Sequence, residues 1–235
     1  LVAMTLVLVV LQLLWRWPGP VFSSVFQGGI RFNSYVGLAA AGMLLGDDGL
    51  SLVAVAVAVK VPLLNLLCIV MFSLTCRQGR LRLTPVLKAI VTNPLIIGSV
   101  VGVLWSFFRV GFHPILAGIL EPLSNLALPL GLMCVGAGLE LKALRHASAP
   151  FLVSSVAKLV VFPVLTLGLA LLLGLDGTMV QAAILLAALP TATSSYILAR
   201  QLGGDAPLMA AIISGQTLLG MLTLPLLLGV LWQAT

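Results

Sequence analysis

Long apolar runs follow one another along almost the whole chain, and they are continuous rather than alternating. Only twelve Lys and Arg and six Asp and Glu punctuate 235 residues, of which 61% are apolar. A soluble domain carries roughly 25% charged residues. The 8% found here cannot cover a folded surface of this size, so a water-soluble enzyme is excluded. Continuous runs also exclude a transmembrane β-barrel, whose strands alternate apolar and polar positions. What remains is an all-α polytopic membrane protein solvated mostly by lipid. One span with its turn takes roughly 25–30 residues, which leaves room for eight or nine.

Eight segments are legible: Leu1–Trp15, Asn33–Leu45, Leu50–Thr75, Asn93–Phe108, Pro114–Leu139, Ala149–Leu175, Thr178–Leu202 and Pro207–Trp232. A polar stretch with Gly and Pro, Arg16–Phe32, reads as the connection between the first two. Gly46-Asp47-Asp48-Gly49 reads as a tight turn, and Arg77–Lys88 as a basic linker. The formal net charge is +6, which in a soluble protein would suggest a nucleic-acid partner. In a membrane protein it reflects retention of Lys and Arg in cytoplasmic loops, and no nucleic acid is implied. Loops on one side hold nine basic residues, Arg16, Arg31, Arg77, Arg80, Arg82, Lys88, Lys142, Arg145 and Arg200, against Arg109 alone on the other. This split places the basic linker in the cytoplasm and both ends of the chain outside. Cys68, Cys76 and Cys134 form no CxxC, and His113 and His146 are isolated, so neither a metal site nor a cofactor is expected.

Two segments carry the same interruption. Phe32-Asn33-Ser34-Tyr35-Val36-Gly37 runs on to Gly46-Asp47, and Leu189-Pro190-Thr191-Ala192-Thr193-Ser194-Ser195-Tyr196 runs on to Gly204-Asp205. Asp47 and Asp205 are 158 residues apart, and a Pro-Leu-Leu follows each, at Pro62 and Pro225. The two broken segments cross in opposite directions, so the units are inverted. Interrupted helices at matching positions of inverted repeats point to a secondary transporter. A break frees backbone N–H and C=O groups at membrane depth, which is tolerated only where they line a cavity or meet a ligand. The second unit has five segments and the first three. With an opening run of about 14 apolar residues, roughly 21 Å against a hydrocarbon core of roughly 30 Å, this predicts that two helices precede Leu1.

These residues resemble the bacterial branch of the auxin efflux carrier family. Arg31-Phe32-Asn33-Ser34-Tyr35-Val36-Gly37-Leu38 with Gly46-Asp47-Asp48-Gly49 is similar to the family's fourth helix. Leu126–Leu130 with Val135-Gly136-Ala137-Gly138-Leu139 is similar to its seventh, and Ala188–Tyr196 with Gly203-Gly204-Asp205 to its ninth. The resemblance implies two inverted five-helix repeats with crossed broken helices, a fold related to bile-acid symporters and sodium/proton antiporters, with eight of ten helices present. On that plan residues 1–75 are an incomplete first repeat, 76–92 the cytoplasmic linker and 93–235 the second repeat. The family moves organic anions, auxin in plants and malate or similar carboxylates in bacteria. Where plant members place a proline in the fourth-helix break, this chain has Gly37-Leu38-Ala39-Ala40, so Gly37 is the expected breaker and substrate choice does not transfer from the plant branch.

The expected function is transport of a small organic anion, a carboxylate such as malate or an auxin-like weak acid, by alternating access. Proton coupling and a homodimer accompany that expectation. Asn33, Ser34 and Gly37 from one break and Thr191, Thr193 and Ser194 from the other form the expected substrate site. Each polar residue has a structural alternative, since Asn33 can cap a helix and the hydroxyls can satisfy carbonyls freed by Pro190. Lys60 and Lys158 lie inside spans, where ionisable residues are functional candidates by default, with snorkelling as the alternative. The resemblance adds that bacterial members keep a lysine at the position of Lys158. Asn65, Asn125 and Gln216 read as helix–helix hydrogen-bonding residues, and the pairs Gly98/Gly102 and Gly136/Gly138 as close-packing sites. Competing readings are a membrane scaffold or inactive fragment, a sodium-coupled symporter of the same fold, and an intramembrane enzyme. The last lacks a catalytic constellation, so no enzyme is expected.

Overall fold

The computed structural model of the chain describes residues 1–76, 91–92, 94–109, 111–146, 148–175 and 177–231. Among them every regular element is helical. In chain order these are α1 (Val2–Trp15), α2 (Gly19–Ile30), α3 (Ser34–Cys76), α4 (Pro94–Phe107) and α5 (Pro114–Ala137). A 3-10 turn (Leu141–His146) leads to α6 (Ala149–Val156), which a π-helical turn (Ala157–Val161) joins to α7 (Phe162–Leu172). Then follow α8 (Gly177–Ala188), α9 (Ser194–Leu202) and α10 (Ala206–Leu231). Four stretches are long and apolar enough to cross a bilayer: Gly19–Cys76, Pro114–Ala137, Ala149–Leu172 and Ala206–Val230. The chain is a multi-pass membrane protein. The basic linker Arg77–Lys88, with Asn93 and Asp176, lies outside the described residues.

Segment ends expected from hydropathy agree with the helices within a few residues, with one exception. Arg16–Phe32 is not a connection but contains α2, and every residue from Phe22 to Ile30 is buried. Pro20 sits in its first turn, where a missing N–H costs nothing. Its glycines, serines and Gln27 depress the hydropathy because this helix is solvated by protein rather than lipid. Small residues admit neighbouring helices closely. A Cβ on Gly28 would strike Ser154 Oγ and stand 2.7 Å from Ile212, and one on Gly29 would stand 2.8 Å from Leu8.

The first interruption is therefore Arg31-Phe32-Asn33, between α2 and α3. Gly37 is not the breaker. It lies within α3, buried, with a Leu189 methyl 2.7 Å from where its Cβ would be. The expected four-residue turn narrows to Gly46, whose φ of 66° and ψ of −164° divide α3 into two helical arms, 34–45 and 47–76. Such a conformation needs glycine.

Two stretches now share one plan. Gly19 and Gly177 open twelve-residue helices 158 residues apart, the spacing of Asp47 and Asp205. A short non-helical stretch follows, then a short helical arm, a positive-φ glycine (Gly46 or Gly203), and a long helix. The core is built where α2, α3, α8 and α10 pack on one another, with α6 and α7 against α2, α8 and α10. Met4, Phe22, Phe26, Ile30, Phe72, Ile184–Leu186 and Met209 fill it. Helices α4 and α5 pack on α3 at the periphery, and α5 buries only Gly131 and Val135. The expected close packing at Gly98, Gly102 and Gly136 is absent: among the described residues nothing stands within 4 Å of their Cβ positions.

Candidate functional site

The two interruptions touch. The backbone N–H of Asn33 donates at 2.9 Å to the carbonyl of Pro190, which lies in the non-helical stretch between α8 and α9. Asn33 is buried, and its side chain caps α3: Oδ1 accepts from the N–H groups of Tyr35 (3.1 Å) and Val36 (3.4 Å). This is the capping role, with the amide oxygen engaged along the helix axis.

Behind the contact lies a buried amide and hydroxyl network. Gln216 of α10 accepts from the N–H of Thr191 at 3.1 Å and donates to the carbonyl of Gly28 at 3.1 Å and to Ser154 Oγ at 3.5 Å. Thr191 Oγ1 donates to the carbonyl of Gln27 at 3.4 Å, and Gln27 Nε2 to the carbonyl of Ser195 at 3.5 Å. Thr191 and Gln216 are both 0% exposed. Thr191 thus faces protein on all sides and belongs to the fastening of the breaks, as does Gly37. Gln216 holds helices together as expected for a polar residue in a span. Asn125 is exposed on α5.

Two adjoining cavities open on the other side of the contact. The larger, about 550 Å³, is lined by Asn33, Ser34, Tyr35, Thr193 and Ser194 together with an apolar wall from Leu38, Val57 and Val61. The smaller, about 210 Å³, is lined by Arg31, Ser34, Asn65, Ser194 and Gln201 among apolar neighbours. Ser34, Val61, Ala192 and Ser194 are common to both. Of the six expected substrate-site residues, Asn33, Ser34, Thr193 and Ser194 therefore line a cavity, while Gly37 and Thr191 line neither.

Arg31 is the residue that sequence reasoning misplaced. Counted among the loop cations, it sits inside the first break, 8% exposed, with Nη2 donating to Ser194 Oγ at 2.9 Å across to the second break. Lys158 and Lys60 share the ring of Phe162. Lys158 is 0% exposed, lies in the π-helical turn and places Nζ 4.6 Å from the Phe162 ring centre, with no hydrogen-bond partner among the described residues. A π turn widens the backbone locally and is frequent at functional positions. Lys60 Nζ stands 5.9 Å from the same ring and 5.2 Å from that of Phe32. Aromatic faces attract a cation, and here they stand where a carboxylate would in an ion pair. Two lysines and Arg31 thus lie near Phe32 and Phe162, and neither cavity has an acidic residue in its lining.

The profile of the family described as "Membrane transport protein" matches residues 75–228. A protein named "Putative malonate transporter" from Rhizobium meliloti (strain 1021) is 36% identical over 140 residues, 58% of this chain and 43% of the relative. An "Uncharacterized transporter" from Methanothermobacter thermautotrophicus is 29% identical over 142 residues, 60% of this chain and 46% of the relative. The matches thus span less than half the length of these relatives. No solved structure matches the chain. The chain belongs to the membrane transport protein family, the auxin efflux carriers.

Proposed function

We propose that this chain is part of a secondary transporter that moves a small organic anion across the plasma membrane by alternating access around the two helix breaks. The observation that carries the reading is the hydrogen bond from Asn33 N–H to the Pro190 carbonyl. Two interruptions at matching positions of two similarly built stretches meet in the interior, where freed backbone groups are stable only beside a cavity or ligand. In this reading the two stretches are inverted repeats, and one moves against the other around the fixed contact. With Arg31 removed from the loops, eight loop cations still oppose one, which keeps the cytoplasmic placement of the linker.

Ser34, Thr193 and Ser194 offer hydroxyls to the substrate in the larger cavity, while Asn33 fixes the α3 end beside them. Lys158 and Lys60 supply positive field and favour anions over neutral solutes; proton coupling, if Lys158 carries it, acts through that charge. The name of the Rhizobium relative makes malonate the first substrate to try, and a carboxylate is the class the surrounding cations suit. The test is uptake of labelled malonate and of a wider panel of labelled carboxylates into vesicles containing the full-length protein. The Ser34→Ala/Thr193→Ala double variant should lose at least tenfold in uptake at equal protein content. Undiminished uptake would place the substrate elsewhere.

A further inference from the structure

We infer that Arg31 is a carboxylate-binding residue, and that the smaller cavity is the subsite in which an anionic headgroup docks while the body of the ligand extends into the larger one. The inference deepens the transport reading by naming the residue that holds the charge.

Four observations carry it. First, Arg31 is more than nine-tenths buried in a span and has no carboxylate partner in the cavity that it lines. A guanidinium keeps its charge even when buried, so it cannot escape the cost of burial by losing a proton. Second, the hydrogen bonding of its fork is incomplete. Nη2 donates to Ser194 Oγ, but Nη1 is buried without a hydrogen-bond partner among the described residues. The thiol of Cys68 lies beside the guanidinium, but sulfur is a weak acceptor and does not satisfy it.

Third, the walls supply the rest of a carboxylate site. Ser34, Asn65, Ser194 and Gln201 line the same cavity, giving neutral donors around a planar cation. Asn65, expected only to join helices, is 8% exposed and faces this space. Arginine matches a carboxylate with two parallel N–H···O bonds, a geometry that lysine cannot reproduce. Fourth, Arg31 belongs to one break and its partner Ser194 to the start of the helix after the other. A ligand carboxylate on the fork would compete for Nη2 and change the link between the two moving parts. Binding and the relative position of the breaks are thereby coupled at one side chain.

The test measures binding without requiring transport. Detergent-purified full-length protein is titrated with sodium malonate, with phenylacetate as an aromatic monocarboxylate and with malonamide as a neutral control. Binding is read by calorimetry and by thermal shift at constant ionic strength. The wild type is expected to bind at least one of the two carboxylates and not the amide. Arg31→Gln should weaken that binding roughly 10- to 100-fold, the size of a lost charge-assisted contact. Arg31→Lys keeps the charge without the fork and should fall between, and Ser194→Ala should change affinity severalfold. If Arg31→Gln does not elute as a monodisperse species, Arg31→Lys carries the comparison.

Equal carboxylate affinity in the wild type and the Arg31 variants overturns the inference, and so does a wild type that binds neither carboxylate. Carboxylate binding that depends on Arg31, in vesicles that take up no labelled carboxylate, would support the subsite and refute the transport reading instead.

Discussion

Gln216→Met isolates the hydrogen bonds that fasten the two breaks from the packing around them. Methionine is close to glutamine in length and flexibility, so the shape of α10 is kept while the amide is lost. Gln216 makes two bonds at 3.1 Å, from the Thr191 N–H and to the Gly28 carbonyl, and a longer one of 3.5 Å to Ser154 Oγ. Its removal leaves two buried backbone groups unsatisfied. At about 1–3 kcal/mol each, the penalty would reach about 2–6 kcal/mol. Hydrogen bonds between membrane helices measure less, about 0.6 kcal/mol on average and about 1.7 at most, because the unfolded chain finds other partners in the bilayer. Three contacts at that scale bring the expected loss to about 2–5 kcal/mol. Thermal unfolding of the detergent-purified full-length protein, followed by tryptophan fluorescence, should show a midpoint lower by about 4–20 °C, at about 2–4 °C per kcal/mol for a chain of this size. Gln216→Glu keeps an acceptor for Thr191 but loses both donations and adds charge, so it should not rescue. A midpoint for Gln216→Met within 1 °C of the wild type would show that the network does not hold the breaks together.

Three further outcomes follow from the same contacts. Gly28→Ala should destabilise by about 1–3 kcal/mol, because the new methyl meets Ser154 and Ile212, whereas Gly98→Ala, with open space around it, should be neutral or slightly stabilising by the helix preference for alanine; paired thermal midpoints check both. Asn33→Ala should lose the α3 cap and about 0.5–2 kcal/mol, while Asn33→Asp keeps the acceptor and the cap, so transport that survives in Asp but not in Ala assigns Asn33 to positioning rather than to ligand contact. Lys158→Met should raise the thermal midpoint, since a fully buried amino group with no hydrogen-bond partner among the described residues is replaced by an apolar chain of similar length, and should lower carboxylate uptake at least tenfold; a lower midpoint would mean that the contacts with Phe162 outweigh the cost of burying the amine.

What could be read from the sequence tracks which solvent each helix meets. The α5 helix and the α6–α7 rod are long and apolar over most of their length, and their ends were predictable to a few residues. Helix α2 was not, because protein surrounds it and its glycines and serines serve close packing. The hydropathy that reports lipid exposure is low where helix meets helix. The Pro190 break was visible because proline cannot complete the ladder, whatever surrounds it. The first break has no proline and is held by tertiary contacts, among them the bond from Asn33 to Pro190. Arg31 was lost for a related reason, since a charge beside a low-hydropathy stretch is read as a loop cation. The repeat itself held the missing information. At the 158-residue spacing of Asp47 and Asp205, Phe32 falls opposite Pro190 and Asn33 opposite Thr191. Extending that spacing backward puts the first break at Arg31–Asn33 rather than at Gly37. It also makes Gly19–Ile30 the counterpart of Gly177–Ala188, and it moves the arginine from the membrane surface into the interior.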